Sequence, residues 1–189
     1  MANKLKTSLI VFLAIVAVLL AADLIVKQIV ATTLVGKPDV VVIPGFWSFH
    51  YTANHDIGFS LLRPLDSFMS PLAKLILIVS FQFLGVAVAT YFFFSPKDYF
   101  GSWIKRLPLA MIAAGGLGNA IDRIIRGFVV DYVLWYNIPL INTWPIFNLA
   151  DTYTVVAVIV LIIFLLFTKE EKKPEPAPME NGRDEPPKI

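Results

Sequence analysis

Two aspartates stand where an apolar chain does not carry charge cheaply. Asp131 closes the run Gly127-Phe128-Val129-Val130-Asp131, and Asp151 closes Phe147-Asn148-Leu149-Ala150-Asp151, immediately before a long apolar stretch. An ionised carboxylate near hydrocarbon costs on the order of 3 kcal/mol or more, so it is rarely placed there without a role. Two such carboxylates brought together cannot both ionise easily. They share a proton, which leaves one as base and the other as acid, the parts of an aspartyl hydrolase. A structural role competes for Asp151 alone, because an acid in the first turn of a helix favours the helix dipole and can cap it.

Other polar residues fall into the same apolar background. Asp23 and Lys27 are four apart and share one helix face, where they can pair with each other or look into a bundle. Asn119 and Arg123 repeat that spacing after Gly115-Gly116-Leu117-Gly118, and Asp122 lies beside them. Glycines at this density let helices approach closely, so by themselves they signal packing rather than chemistry. Polar groups at such depth must look inward, toward partners or a wet cavity. His50 and His55 lack a surrounding thiolate or carboxylate constellation beyond Asp56, so they read as solvated loop residues and no metal site is expected.

The elements that must position these groups are membrane helices. The chain has 189 residues, of which 57% are hydrophobic and 16% charged, against about 25% charged in a soluble domain. Four apolar segments run over about 8–30, 72–94, 107–125 and 152–167. Each is near the ~20 residues (range ~17–25) that cross a bilayer, the last at the short end. The first is too long for a cleaved leader, lacks a small-x-small site after it, and carries Asp23 and Lys27 near its far end. With the N-terminus inside, eight Lys and Arg residues flank the inner ends (Lys4, Lys6, Lys97, Lys105, Arg106, Lys169, Lys172 and Lys173). Four flank the outer ends (Lys37, Arg63, Lys74 and Arg126). This bias puts both termini in the cytoplasm and makes 31–71 and 126–151 the outer loops.

The first outer loop carries strand signals. Val40-Val41-Val42-Ile43 is β-prone and ends at Pro44-Gly45; Phe46 to Thr52 alternates and is rich in aromatics; Asn54-His55-Asp56 is turn-like; Phe59 to Leu62 fits a further strand. A small sheet on the outer membrane face is expected, with Phe46, Trp47 and Tyr51 at headgroup depth. The tail 169–189, charged and proline-rich, is expected to be disordered, leaving 1–168 as one membrane domain with a β-rich loop at about 36–64. There is no internal repeat. The absence of cysteine excludes disulfides and thiolate metal sites, and a net charge of +2 gives no basis for nucleic-acid binding.

Taken together, the residues resemble the bacterial lipoprotein signal peptidases, the signal peptidase II family. The likeness covers nearly the whole chain up to the tail and rests on five signatures in the family's order. These are Asp23 with Lys27, Asn54 followed by Phe59-Ser60, the block from Gly115 to Arg123, and the runs ending at Asp131 and Asp151. One stretch departs, since Asp56 stands where the family's pattern has glycine. The resemblance implies a four-helix membrane aspartyl endopeptidase of the bacterial inner membrane, working without metal or cofactor. Its partners would be lipid-modified prolipoproteins and membrane lipids, and it would act as a monomer. It would cut before a diacylglyceryl-modified cysteine. Asp131 and Asp151 would be catalytic. Asn54, Asn119, Arg123 and Asn148 would hold substrate, and Asp23, Lys27, Asp122 and Gly116 would support the site. The rivals are a proton-coupled transporter and a non-catalytic scaffold. Against the first, the polar residues cluster toward one face and four helices without a repeat make a poor alternating-access frame. The second does not explain why two carboxylates and several amides converge.

Overall fold

The computed structural model describes residues 2–56, 62–96 and 103–167. Within them lie four helices, α1 (Ala2–Thr33), α2 (Pro71–Phe94), α3 (Leu107–Arg126) and α4 (Leu149–Phe167), and four strands, β1 (Val40–Ile43), β2 (Trp47–Asn54), β3 (Val129–Ile138) and β4 (Asn142–Thr143). The helices match the apolar segments with small shifts. α1 extends past both ends of its segment. α4 begins three residues earlier than 152, so Asp151 sits inside its first turn. The expected further strand at 59–62 lies outside the described residues except for Leu62, which is in a turn. Phe59, Ser60 and the tail also lie outside them.

Local sequence sets the helix ends. Ser70 caps α2, its Oγ accepting from the Ala73 N–H at 3.2 Å, with Pro71 at the first helical position where a missing N–H does no harm. α3 stops at Gly127, whose φ of 79° is the left-handed conformation that glycine adopts without strain.

Three helices, over Leu5–Thr33, Pro71–Phe94 and Leu149–Phe167, are long and apolar enough to cross a membrane. Their large side chains face outward. Ile10, Leu84 and Leu166 are 67%, 58% and 74% exposed, which a water-facing surface would not sustain along three helices. α3 differs: it has the length, but one face carries Asn119, Asp122, Arg123 and Arg126. It packs against all three other helices. Its small residues Ala110, Ala113 and Ala114 are buried with Phe12 and Phe93 in the apolar core.

The sheet is antiparallel with strand order β1-β2-β3-β4. Expectation placed it in the first interhelical loop alone. In the structure the second loop supplies β3, one of the two inner strands, which pairs with β2 from Asn54↔Val129 to Trp47↔Trp135. The reason is visible in Val129 to Tyr136, a β-branched and aromatic run whose first four residues are buried. Asp131 therefore stands on a strand. The two loops are locked into one sheet across the end of the bundle where α3 stops and α4 starts.

Candidate active site

The two aspartates are brought together at that end by different devices. Asp131 lies on β3, opposite Thr52 of β2, and is 2% exposed. Asp151 is fixed by the start of α4, where every initial N–H has a named acceptor. Leu149 N–H donates to the Tyr132 hydroxyl at 3.3 Å, and Ala150 N–H to Asp23 Oδ1 at 3.0 Å. Asp151 N–H donates to Asn148 Oδ1 at 3.0 Å, and Thr152 N–H to the Asn148 carbonyl at 3.1 Å. In return Asp151 Oδ2 accepts the Asn148 N–H at 3.2 Å, which completes a reciprocal capping box. Asp151 thus has the capping role one oxygen can serve, while Oδ1 accepts from Asn119 Nδ2 at 2.8 Å.

Asn148 joins the pair. Its Nδ2 donates to Asp131 Oδ1 at 2.6 Å, and its backbone and side chain cap Asp151. Asn54 Nδ2 holds the other oxygen of Asp131 at 2.7 Å. The expectation for Asn54, Asn119 and Asn148 was contact with a substrate. In the structure all three amides donate to the carboxylates of Asp131 and Asp151. Burial, with the neighbouring Asp151 charge next, pushes the Asp131 carboxyl up to about 7 against the hydrogen bonds from Asn54 and Asn148.

Beneath the pair lies a buried ion cluster. Lys27 Nζ contacts Asp23 Oδ2 at 2.8 Å and donates to Asn119 Oδ1 at 2.7 Å, with Asp122 at 3.9 Å. Asp122 receives the Val130 N–H at 2.9 Å and Arg126 Nε at 2.7 Å, tying the end of α3 to β3. Asp23, Lys27 and Asp122 thus tie α1, α3, β3 and the start of α4 together beneath the two aspartates. Gly116 helps α2 approach, since a Cβ there would lie 2.8 Å from Val86 Cγ2. Gly115 matters as much: a Cβ would lie 2.5 Å from the Ala150 carbonyl and 2.5 Å from Thr154 Oγ1.

Arg123 is 4% exposed, and its guanidinium donates through Nη2 to the Asp56 carbonyl. Asp56 itself, the departure noted in the sequence, is integrated. Its N–H donates to Asn54 Oδ1 at 2.8 Å, closing a local turn, and its carboxylate lies 3.3 Å from Lys74 Nζ. Lys74, counted as an outer-flank charge, is in fact buried against Asp56 and Asp66. His50 lies on a strand and contacts Asp39 at 2.7 Å, and the His55 ring rests against Phe128.

A cavity of about 900 Å³ opens beside the pair, lined by Asp131, Asp151, Asn54, Arg123, Trp135 and Trp144 among others. The sequence reading missed Tyr132 as the acceptor for the α4 terminus, the Lys74 cluster, and Gln82, which also lines this cavity. The β-prone run around Tyr132 was a usable signal; Gln82 needed the packing of α2 on α3, and the Lys74 cluster the approach of Asp56 and Asp66 to the start of α2.

Helices apolar on the outside and a pair of aspartates facing a cavity at one end define an integral membrane protein with an acidic site at one end of its helix bundle. Residues 15–167 match the family described as Signal peptidase (SPase) II. A lipoprotein signal peptidase of Xanthomonas axonopodis pv. citri is 31% identical over 92% of this chain and 95% of its own. One of Xylella fastidiosa is 31% identical over 88% and 95%. Two solved structures, both of a bacterial membrane enzyme obtained by the in meso method, superpose with TM-scores of 0.68. The 2.3 Å structure is 26% identical over 92% of this chain and 95% of that one; the 1.9 Å structure is 27% identical over 87% and 95%. The chain belongs to the signal peptidase II family and is a membrane peptidase.

Proposed function

We propose that this protein is an aspartyl endopeptidase that removes the signal peptide from prolipoproteins, cutting just before the diacylglyceryl-modified cysteine. It spans the bacterial inner membrane four times, with α3 as the sheltered span, both termini cytoplasmic and the sheet on the outer face. The observation that carries the chemistry is Asn148, whose one side chain and backbone bind both carboxylates.

One proton is shared by Asp131 and Asp151. The ionised carboxylate takes a proton from a water molecule as its oxygen attacks the scissile carbonyl carbon. The protonated carboxyl donates a hydrogen bond to the carbonyl oxygen, which gains the negative charge. The tetrahedral intermediate collapses as a proton passes to the amide nitrogen and the C–N bond breaks. The products are a signal peptide ending in a carboxylate and a lipoprotein whose cysteine has a free amine. Asn54, Asn119 and Asn148 keep the carboxylates aimed, Arg123 meets the substrate in the cavity, and the apolar lining receives the side chains around the cut.

The test is cleavage of a lipid-modified prolipoprotein by purified protein in detergent. Asp131→Asn and Asp151→Asn, each shown to be folded, should lose at least about 10³-fold in kcat, as removal of an essential acid or base does. The unlipidated precursor should stay uncut. Folded asparagine variants that cut as well as wild type would end the aspartyl mechanism.

A further inference from the structure

Apart from the exposed Tyr91, α2 carries four polar side chains in an otherwise apolar helix: Lys74, Ser80, Gln82 and Thr90. Three are satisfied internally. Ser80 Oγ donates to the Ile76 carbonyl and Thr90 Oγ1 to the Val86 carbonyl, each at 2.7 Å. Lys74 meets Asp56 and Asp66. Gln82 is the exception, because its Oε1 is shielded from solvent and has no hydrogen-bond partner among the described residues. An amide oxygen left so at membrane depth costs free energy and improves nothing in the packing.

Its position gives it a use. Gln82 lines the same cavity as Asp131, Asp151 and Arg123. Its level follows from Gly116, where a Cβ would lie 2.8 Å from Val86 Cγ2 and 3.7 Å from the Gln82 carbonyl, so α2 and α3 nearly touch there. Asn119, the partner of Asp151, is three residues further along α3, about 4.5 Å at the helical rise. Gln82 is therefore within about one helical turn of the level of the acid pair. Arg123 lines the same cavity, and its buried Nε likewise has no hydrogen-bond partner among the described residues.

We infer that Gln82 is a substrate-positioning residue whose Oε1 accepts a backbone N–H from the extended part of the substrate next to the scissile bond. A peptide bond open to attack cannot stay inside a helix. Unwinding it frees backbone N–H and C=O groups that hydrocarbon cannot satisfy. An orphaned acceptor at this level answers a freed N–H, and the orphaned Arg123 Nε–H answers a freed carbonyl. The ester groups of the lipid carry no donor, so they do not meet the need of Gln82 Oε1. This inference rests on the prolipoprotein cleavage proposed above.

The experiment uses synthetic lipid-modified prolipoprotein peptides in which a single amide N–H near the cut is replaced by an ester oxygen, one position at a time. Wild type should lose about tenfold in kcat/KM at one position, the size of one hydrogen bond. Gln82→Leu should lose about tenfold on the all-amide peptide and nothing further at that position, while melting no lower than wild type. Gln82→Met serves the same comparison if the leucine variant does not fold. Equal responses of wild type and variant at every position overturn the inference, since a purely structural glutamine would give that result. Failure of wild type to cut the all-amide peptide is a different outcome and overturns the proposed cleavage itself, and the inference with it.

Discussion

At the scale of single residues, the site is a set of amides with no freedom to flip. Asn54 Oδ1 accepts from a backbone N–H, Asn119 Oδ1 from the Lys27 ammonium, and Asn148 Oδ1 from the Asp151 N–H. Each of those partners can only donate, so each amide must turn its own NH₂ toward a carboxylate. The consequence is a pH dependence with a definite sign. Asp131 is raised to about 7, above its ordinary value of 3.8, so its neutral form persists through the acidic and neutral range. The mechanism needs one proton on the pair. As pH rises through about 7 that proton leaves and kcat/KM should fall, whereas it should be retained on the acid side until the second carboxylate protonates. A pH–rate profile on a substrate without titrating groups measures this. A flat profile between pH 6 and pH 9 would contradict the shared proton.

Helix contacts, at the next scale, make the site possible. α3 can hold α4 and α1 at catalytic range only because glycine stands at 115 and 118. A Cβ at Gly118 would run into the Asp23 carboxylate and lie 3.3 Å from Ala150 Cβ, and one at Gly115 would meet the Ala150 carbonyl, which cannot yield without shifting the α4 terminus. Gly115→Ala and Gly118→Ala should each destabilise the protein by about 1–3 kcal/mol and reduce cleavage, as overpacking does. Gly85 has nothing within 4 Å of its added Cβ, so Gly85→Ala should match wild type in both melting and activity. Equal behaviour of all three variants would dissociate the glycines from the site. This contact was half legible in sequence: the glycine cluster announced close packing, yet nothing in its spacing named Ala150 or Asp23 as the atoms approached.

At the scale of the whole molecule, three apolar helices surround a polar fourth, and the sheet caps one end. The chain has no cysteine, so its topology can be mapped with single introduced ones. Leu140, fully exposed in the turn between β3 and β4, should be labelled by a membrane-impermeant maleimide in intact cells when replaced by cysteine. Lys6→Cys, near the N-terminus, should be labelled only after permeabilisation. The reverse pattern would invert the proposed orientation. Phe12, Phe93 and Ala113 pack into an apolar core that contributes none of its buried residues to the cavity beside the aspartates, which suits a one-sided reaction better than a path across the bilayer.

What the sequence by itself determined was the membrane class, the helix positions and the two aspartates that stand beside apolar runs. Apolar runs near twenty residues have one stable reading in a bilayer, and a carboxylate beside such a run is too costly to be incidental. The strands of the first loop were legible from a β-prone run and an alternating one, and the contact between Asp23 and Lys27 from their four-residue spacing. Only the tertiary structure decided that β3 joins the sheet, that the three asparagines face the aspartates, and that Asp56 pairs with Lys74. It alone showed Gln82 Oε1 without a hydrogen-bond partner among the described residues, on a side chain that lines the same cavity. Those facts depend on which atoms meet between elements, as Asn54 meets Asp131 across 77 residues of chain and Arg123 meets Asp56 across 67. Local spacing encodes which face a side chain takes on its own element, and the choice of partner on another element follows from packing that no single segment contains.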